Sequence, residues 1–191
     1  MFILPFFLSY CLLFPFLINF FPCGKISFPY TKSMRYAKGI IGLFVWLAVC
    51  QLPMLISLPF VQPNMAWYHT LTKPILSPPD WLFGMVWGVL YVLMGVSASI
   101  AFRNGVSGKT KTVFILFLVQ LALNALWTPV YFGFHSFAGA TILIVVMIVE
   151  GMFLHRELYK LDKLAAWLLV PYWGWLLFAT YLTVANWGLN G

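Results

Sequence analysis

Five apolar runs, each about the 20 residues that a bilayer requires, constrain this chain more than any other feature; they fall near 39–59, 80–101, 112–132, 136–155 and 164–187. Inside hydrocarbon the backbone has no water to bond, so runs of this length joined by short connections read as membrane-crossing helices. With 63% hydrophobic and 8% charged residues, the chain lies well outside the usual composition of soluble domains. The expectation is an all-α integral membrane protein, a five-transmembrane-helix bundle with an additional N-terminal apolar segment. That segment, residues 2–22, is broken by Pro5 and Pro15. It lacks a basic residue before its apolar part and a small-residue cleavage site after it, so it makes a poor secretory signal. Residues 1–38 are therefore read as an extension, and 39–190 as the membrane domain, with Met34-Arg35-Tyr36-Ala37-Lys38 as a candidate start of the working protein.

The net charge of +7 would suggest nucleic acid in a soluble chain, but here the basic residues sit between apolar runs, and no nucleic-acid partner is expected. Lys25, Lys32, Arg35 and Lys38 precede the first run, Arg103, Lys109 and Lys111 follow the second, and Arg156, Lys160 and Lys163 follow the fourth. Only Lys73 falls on the other side. Such asymmetry makes the basic segments cytoplasmic and puts the Trp67–Ser77 loop, the turn near His135 and the C-terminus outside. A multi-pass protein of a bacterial cell membrane is the expectation.

The stretch from Trp67 to Gly95 organises the domain. A proline-punctuated loop carrying Trp67, Tyr68 and Lys73 is expected to lid a cavity, with Ser77 capping the next helix, Pro78 at its first position and Asp80 closing a capping box. At about 100° per residue, Gly84, Gly88, Tyr91, Gly95 and Ser99 share one stripe, beside an aromatic ridge of Phe83, Trp87, Leu90 and Met94. The small-residue stripe reads first as a surface for close helix packing. In the third run Gln120, Asn124, Trp127 and Tyr131 share a face that lipid would penalise, so it should turn inward. Interhelical hydrogen bonding and the polar floor of a cavity are both consistent with it. In the fifth run Tyr172, Trp175, Ala179, Leu182 and Asn186 share a face, and Trp87 and Trp175 lie too deep to be interfacial belt residues.

These residues form an ordered set: WYxxLxKP, PPxWxFxxxWxxLYxxMG, QLxLNxxW, PYxxWxxFA and a terminal WxLN. The set resembles the TspO/MBR family, the tryptophan-rich sensory proteins and translocator proteins also called peripheral-type benzodiazepine receptors, over roughly residues 39–190. The resemblance implies a five-helix fold, often a homodimer, with a cavity that takes porphyrins such as protoporphyrin IX or another flat hydrophobic molecule. No cofactor is required; porphyrin is the ligand. It implies ligand contacts from Tyr68, Trp87, Asn124, Trp175 and Ala179, to which the inward faces add Tyr91, Trp127 and Tyr172. Trp87 and Trp175 match the tryptophans associated with light- and oxygen-dependent porphyrin breakdown in bacterial relatives. Thr183 stands where relatives usually have Asn, and Asn186 where an apolar residue is usual. No Lys or Arg follows Tyr181, so the sterol motif of animal relatives is missing.

Other chemistry is sparse. Cys11, Cys23 and Cys50 have no CxxC spacing, and His69, His135 and His155 lie in separate segments, so no metal site is expected. Glu150, an acid inside a run, lies near the cytoplasmic end and is expected to snorkel toward Arg156 or Lys160. Three functions compete: a porphyrin-binding sensor, regulator or carrier, a porphyrin-degrading enzyme, and a structural membrane subunit with no ligand.

Overall fold

The computed structural model describes residues 32–191, so the N-terminal apolar stretch and the candidate start before Lys38 lie wholly or partly outside the described residues. The chain forms α1 (Lys32–Thr70), α2 (Asp80–Ala101), α3 (Lys109–Thr128) continuing into a π-helical turn (Pro129–Gly133), α4 (Phe137–Leu161), α5 (Lys163–Leu168) and α6 (Val170–Asn190). Five helical segments are long and apolar enough to cross a membrane, α5 and α6 together making the fifth. The protein is an integral multi-pass membrane protein.

Helix α1 departs most from the sequence reading. It does not end near residue 59 but runs through Pro53, Pro59 and Pro63 to Thr70. Its apolar part, Gly39–Thr70, has 32 residues, about 48 Å of helix against a hydrocarbon thickness of about 30 Å, so one end stands clear of the apolar layer. Ser57 Oγ donates to Pro53 O (2.7 Å) and Asn64 Nδ2 to Phe60 O (2.8 Å), so polar side chains bond back to the helix around the prolines. Trp67 and Tyr68 consequently ride on the last turn of α1 rather than in a loop, and the connection shrinks to residues 71–79. Helix α2 begins at Asp80 with Pro79 as its N-cap and no side-chain cap bond, so the expected capping by Ser77 does not occur. Asp80 instead meets His69 Nε2 at 2.8 Å, clamping the two ends of the connection.

Helix α4 runs six residues past the expected end, to Leu161. Lys160 pairs with Glu157 one turn earlier, which lets the charged segment continue as helix. Asp162 then breaks the chain in an extended conformation, accepts from Ala165 N (3.1 Å) to cap α5, and meets Arg103 at 3.6 Å. In packing, α1 lies on α2 and α3, α3 on α4, α4 on α5 and α6, and α2 on α5.

The glycine stripe of α2 divides in two. A Cβ on Gly95 would lie 2.9 Å from Leu47 Cα and 3.1 Å from Leu47 N, so here the backbones of α1 and α2 touch as a packing stripe requires. Gly84 and Gly88 meet nothing within 4 Å. The stripe is a packing surface at one end and an opening at the other.

Candidate functional site

The opening leads into a cavity of about 530 Å³ lined from all five spans, a volume in the range of small-molecule sites. Met54, Ser57 and Tyr68 reach it from α1, Gly84, Trp87 and Tyr91 from α2, Asn124 and Trp127 from α3, Tyr131 from the π turn, Ile144 and Met147 from α4, and Ala179, Thr183 and Asn186 from α6. Its walls are aromatic and paired. Trp87 stacks on Tyr91 with centroids 5.4 Å apart, and Trp127 stacks on Tyr131 at 4.9 Å. The Trp127 indole N–H is spent on Ala140 O (3.1 Å), which fixes that ring with its apolar area turned to the cavity.

The π turn places Tyr131. Pro129 has no N–H to offer the helical ladder, and the chain widens so that Phe134 N donates to Pro129 O (3.0 Å) and Ser136 N to Val130 O (3.1 Å). The turn is held against α1 by His135, which takes a positive φ of 51°. Its ring stacks on Trp67 at 3.8 Å and its Nε2 meets Asn64 Oδ1 at 2.9 Å.

Polar atoms without partners mark the interior. Among the described residues, Asn124 Oδ1, Tyr131 OH and Asn186 Oδ1 are buried, belong to cavity-lining residues and have no hydrogen-bond partner. Such atoms carry a desolvation cost of about 1–3 kcal/mol each, and although their residues line the cavity, the atoms themselves are closed off from the open volume. Asn124 cannot relieve its oxygen by rotation. Its Nδ2 donates to Gln120 O (2.7 Å) and Tyr172 Oη (2.8 Å), which leaves Oδ1 buried without a partner.

Six of the eight sequence-derived ligand residues line the cavity: Tyr68, Trp87, Tyr91, Asn124, Trp127 and Ala179. Tyr172 and Trp175 do not. Tyr172 is fully buried behind Asn124. Trp175 packs edge-on against Phe83, which itself lines the cavity, and its Nε1 is buried without a partner. Thr183 and Asn186, singled out as departures at the end of the fifth run, are both buried and both line the cavity. The residues that sequence reasoning missed include Met54, Ser57, Leu58 and Val61 of α1, together with Ile144 and Met147 of α4. The α4 pair belongs to the buried stripe Ala140, Ile144, Met147, Gly151, Leu154 and Leu158, whose three-to-four spacing was readable in the sequence.

At the mouth, Thr72 and Asn190 exchange two bonds, Thr72 N to Asn190 Oδ1 (2.8 Å) and Asn190 Nδ2 to Thr72 O (3.1 Å). Lys73 Nζ lies over the Tyr68 ring and donates to Tyr68 O (2.7 Å). Burial lowers the Lys73 pKa to about 8, against the opposing pull of Asp80. Of the connection itself only Ser77 reaches the cavity, next to Tyr68 of α1 and to Asp80 and Trp81 of α2. Among the described residues no group of His, Cys, Asp and Glu could hold a metal ion.

Glu150 does not snorkel. With its nitrogen turned toward the carboxylate, the Gln120 side chain donates to Glu150 Oε2 and to Met147 O (3.2 Å), while its oxygen accepts from Tyr172 OH (2.5 Å). The opposite orientation, in which Gln120 Nε2 donates to Tyr172 Oη at 2.5 Å, would set the amide oxygen against two acceptors, so the first is the one chemistry permits. Because α4 continues to Leu161, Glu150 sits about three turns from its end, and its side chain meets Gln120 of α3.

Comparison with known proteins agrees with this architecture. The family model described as the TspO/MBR family matches residues 42–188. The chain is 32% identical over 155 residues, 80% of its own length and 98% of the relative's, to tryptophan-rich protein TspO of Chlorobaculum tepidum. It is 36% identical to the translocator protein of Homo sapiens over 131 residues, 66% of this chain and 76% of the relative. It is 35% identical to protein CrtK of Rhodobacter capsulatus over 126 residues, 65% of this chain and 79% of the relative.

Proposed function

The chain belongs to the TspO/MBR family, and from that premise we propose that its cavity binds a flat, largely apolar tetrapyrrole such as protoporphyrin IX, in the role of sensor, regulator or carrier. The observation that carries this reading is one volume of about 530 Å³ walled by aromatic side chains and lined from all five spans. A macrocycle gains from burial of its faces against Trp87 and Trp127. A subunit with a purely structural role has no need to keep an aromatic-walled volume of this size open.

By the charge asymmetry, the basic ends of the bundle face the cytoplasm and the mouth at Thr72, Ser77 and Asn190 faces outward. A reporter fused after Asn190 then reads as non-cytoplasmic and one inserted near Ser107 as cytoplasmic. The reverse pattern contradicts this orientation.

The binding test is titration of the purified protein with protoporphyrin IX in darkness, followed by the porphyrin absorption band. Saturable binding with a spectral shift is expected, and its absence contradicts the reading. Repeating the titration under illumination separates binding from breakdown, because only breakdown yields a new tetrapyrrole product.

A further inference from the structure

Asn186 is a buried amide of the cavity wall that is held at neither end. It lies on the face of α6 that also carries Ala179, Leu182 and Thr183, all of which line the cavity, and it is 4% exposed. Its Oδ1 is closed off without a partner. Among the described residues its Nδ2 makes no hydrogen bond either, but it is not one of the closed-off atoms, so the N–H end of the amide is the end that meets the open volume. Other donors of the lining are already engaged within the protein. Ser57 Oγ donates to Pro53 O (2.7 Å), Asn124 Nδ2 to Gln120 O (2.7 Å), Trp127 Nε1 to Ala140 O (3.1 Å) and Thr183 Oγ1 to Ala179 O (2.8 Å).

The place of Asn186 in the fold is the mouth end of the cavity. One turn further on, Asn190 bonds Thr72 of the connection in both directions and donates its Nδ2 to Asn186 O (2.9 Å), which ties the last turn of α6 to the mouth. Leu176, on the same face of α6, lies about 15 Å deeper by helical rise, and with Ile144 and Met147 it gives the far end an apolar wall. An amide buried without a partner destabilises the folded protein, and a leucine of similar volume would avoid that cost. A cost of this kind, kept at the edge of an open volume, is what a binding group looks like before its ligand arrives.

We propose that Asn186 is a specificity-determining residue of the cavity, donating its amide N–H to a carbonyl or carboxylate oxygen on the outer edge of a flat apolar ligand, which therefore enters with its apolar edge first. The inference rests on reading the cavity as a ligand site and adds which edge of the ligand faces the mouth. Asp80, which also lines this end, is engaged by His69 Nε2 (2.8 Å), and Lys73 on Tyr68 O stands close enough to feel its charge, so its carboxylate does not stand uncompensated against the incoming oxygen. A ligand with no oxygen at that edge leaves the Asn186 N–H desolvated and unpaired, and the site discriminates against it for that reason.

The test compares mesoporphyrin IX dimethyl ester with etioporphyrin III, two neutral macrocycles that differ only where two propionate esters replace two ethyl groups, binding to the purified full chain. Taking the ester-to-alkyl affinity ratio in the parent protein and again in Asn186→Leu cancels the different partition of the two compounds into detergent. The ratio should fall by about five- to tenfold in Asn186→Leu, the value of one hydrogen bond, and an unchanged ratio overturns the proposal. Melting of the ligand-free protein separates a binding role from a structural one. Asn186→Leu removes an unpaired amide and should melt at or above the parent, whereas a much lower melting temperature shows that the side chain holds the fold together and overturns the proposal whatever binds. The flat ketone fluorenone and the corresponding hydrocarbon fluorene keep this distinct from the porphyrin reading. If neither porphyrin binds the parent protein, the tetrapyrrole assignment fails, and the subsite is judged on the fluorenone-to-fluorene ratio, which should fall by the same factor in Asn186→Leu. An unchanged ratio, or no binding of either compound, overturns it.

Discussion

Trp46 and Trp87 sit in two aromatic clusters of similar composition at opposite ends of the bundle. Around Trp46, the rings of Phe102, Phe114 and Phe117 close in at 5.1 to 6.0 Å, two of them edge-on. Phe117 is fully buried there, and the cluster borders no part of the cavity. Around Trp87, the rings of Tyr91, Trp127 and Tyr131 line open volume, and the hydroxyl of Tyr131 has no partner. Aromatic content therefore does not tell a core from a site. Unfilled volume lined from several helices does, and each prediction below attacks that distinction.

The largest effect should come from emptying the filled cluster. Trp46→Ala is expected to cost about 3 to 5 kcal/mol of stability, seen as a large fall in melting temperature, while the folded fraction binds porphyrin like the parent. A loss of affinity without loss of stability would dissolve the contrast. Next come the glycines. Gly95→Ala drives a methyl group into the α1 backbone and should cost about 1 to 3 kcal/mol, whereas Gly84→Ala has open space and should leave the melting temperature unchanged. Equal losses would show that the stripe is one packing surface.

A smaller effect is expected at the cavity wall. Trp87→Phe keeps an apolar ring of reduced area and should weaken protoporphyrin IX binding by up to about tenfold, and Trp87→Ala by more, with little change in melting. Should Trp87→Phe melt far below the parent and bind normally, Trp87 is core.

The smallest effect concerns the mouth. The Lys73 pKa is lowered to about 8 by burial, so the closed connection favours the neutral amine. The sign follows: the cost of burying the charged amine is fully present below the folded value, and the closed form gains as pH rises from about 8 toward the ordinary lysine value. Proteolysis of residues 71–79 should slow over that range in the parent and lose this pH dependence in Lys73→Met.

Much of this was legible in the sequence for physical reasons. Span positions follow from the length of apolar runs, and Asp80–Ala101 coincides with its expected bounds. Asn124, Trp127 and Tyr131 were placed inward because lipid penalises a polar face. The upper half of α1 was not legible. A proline argues for a kink or an end of a helix, and what carries α1 through Pro53, Pro59 and Pro63, including back-bonds from Ser57 and Asn64, depends on packing. Tyr172 shows a second limit. Its face was identified correctly as inward, but periodicity gives direction and not depth, and Asn124 stands between it and the cavity. Glu150 failed for a related reason, since the apolar run suggested an end near residue 155 where the helix continues to Leu161, and the donor waiting on α3 was not readable.

The most direct test of the account is a structure of the protein with protoporphyrin IX bound. The account predicts the macrocycle in the cavity between Trp87 and Trp127, with the Trp46 cluster unchanged. A macrocycle on the lipid-facing surface or beside Trp46, with the cavity left unfilled, would contradict it.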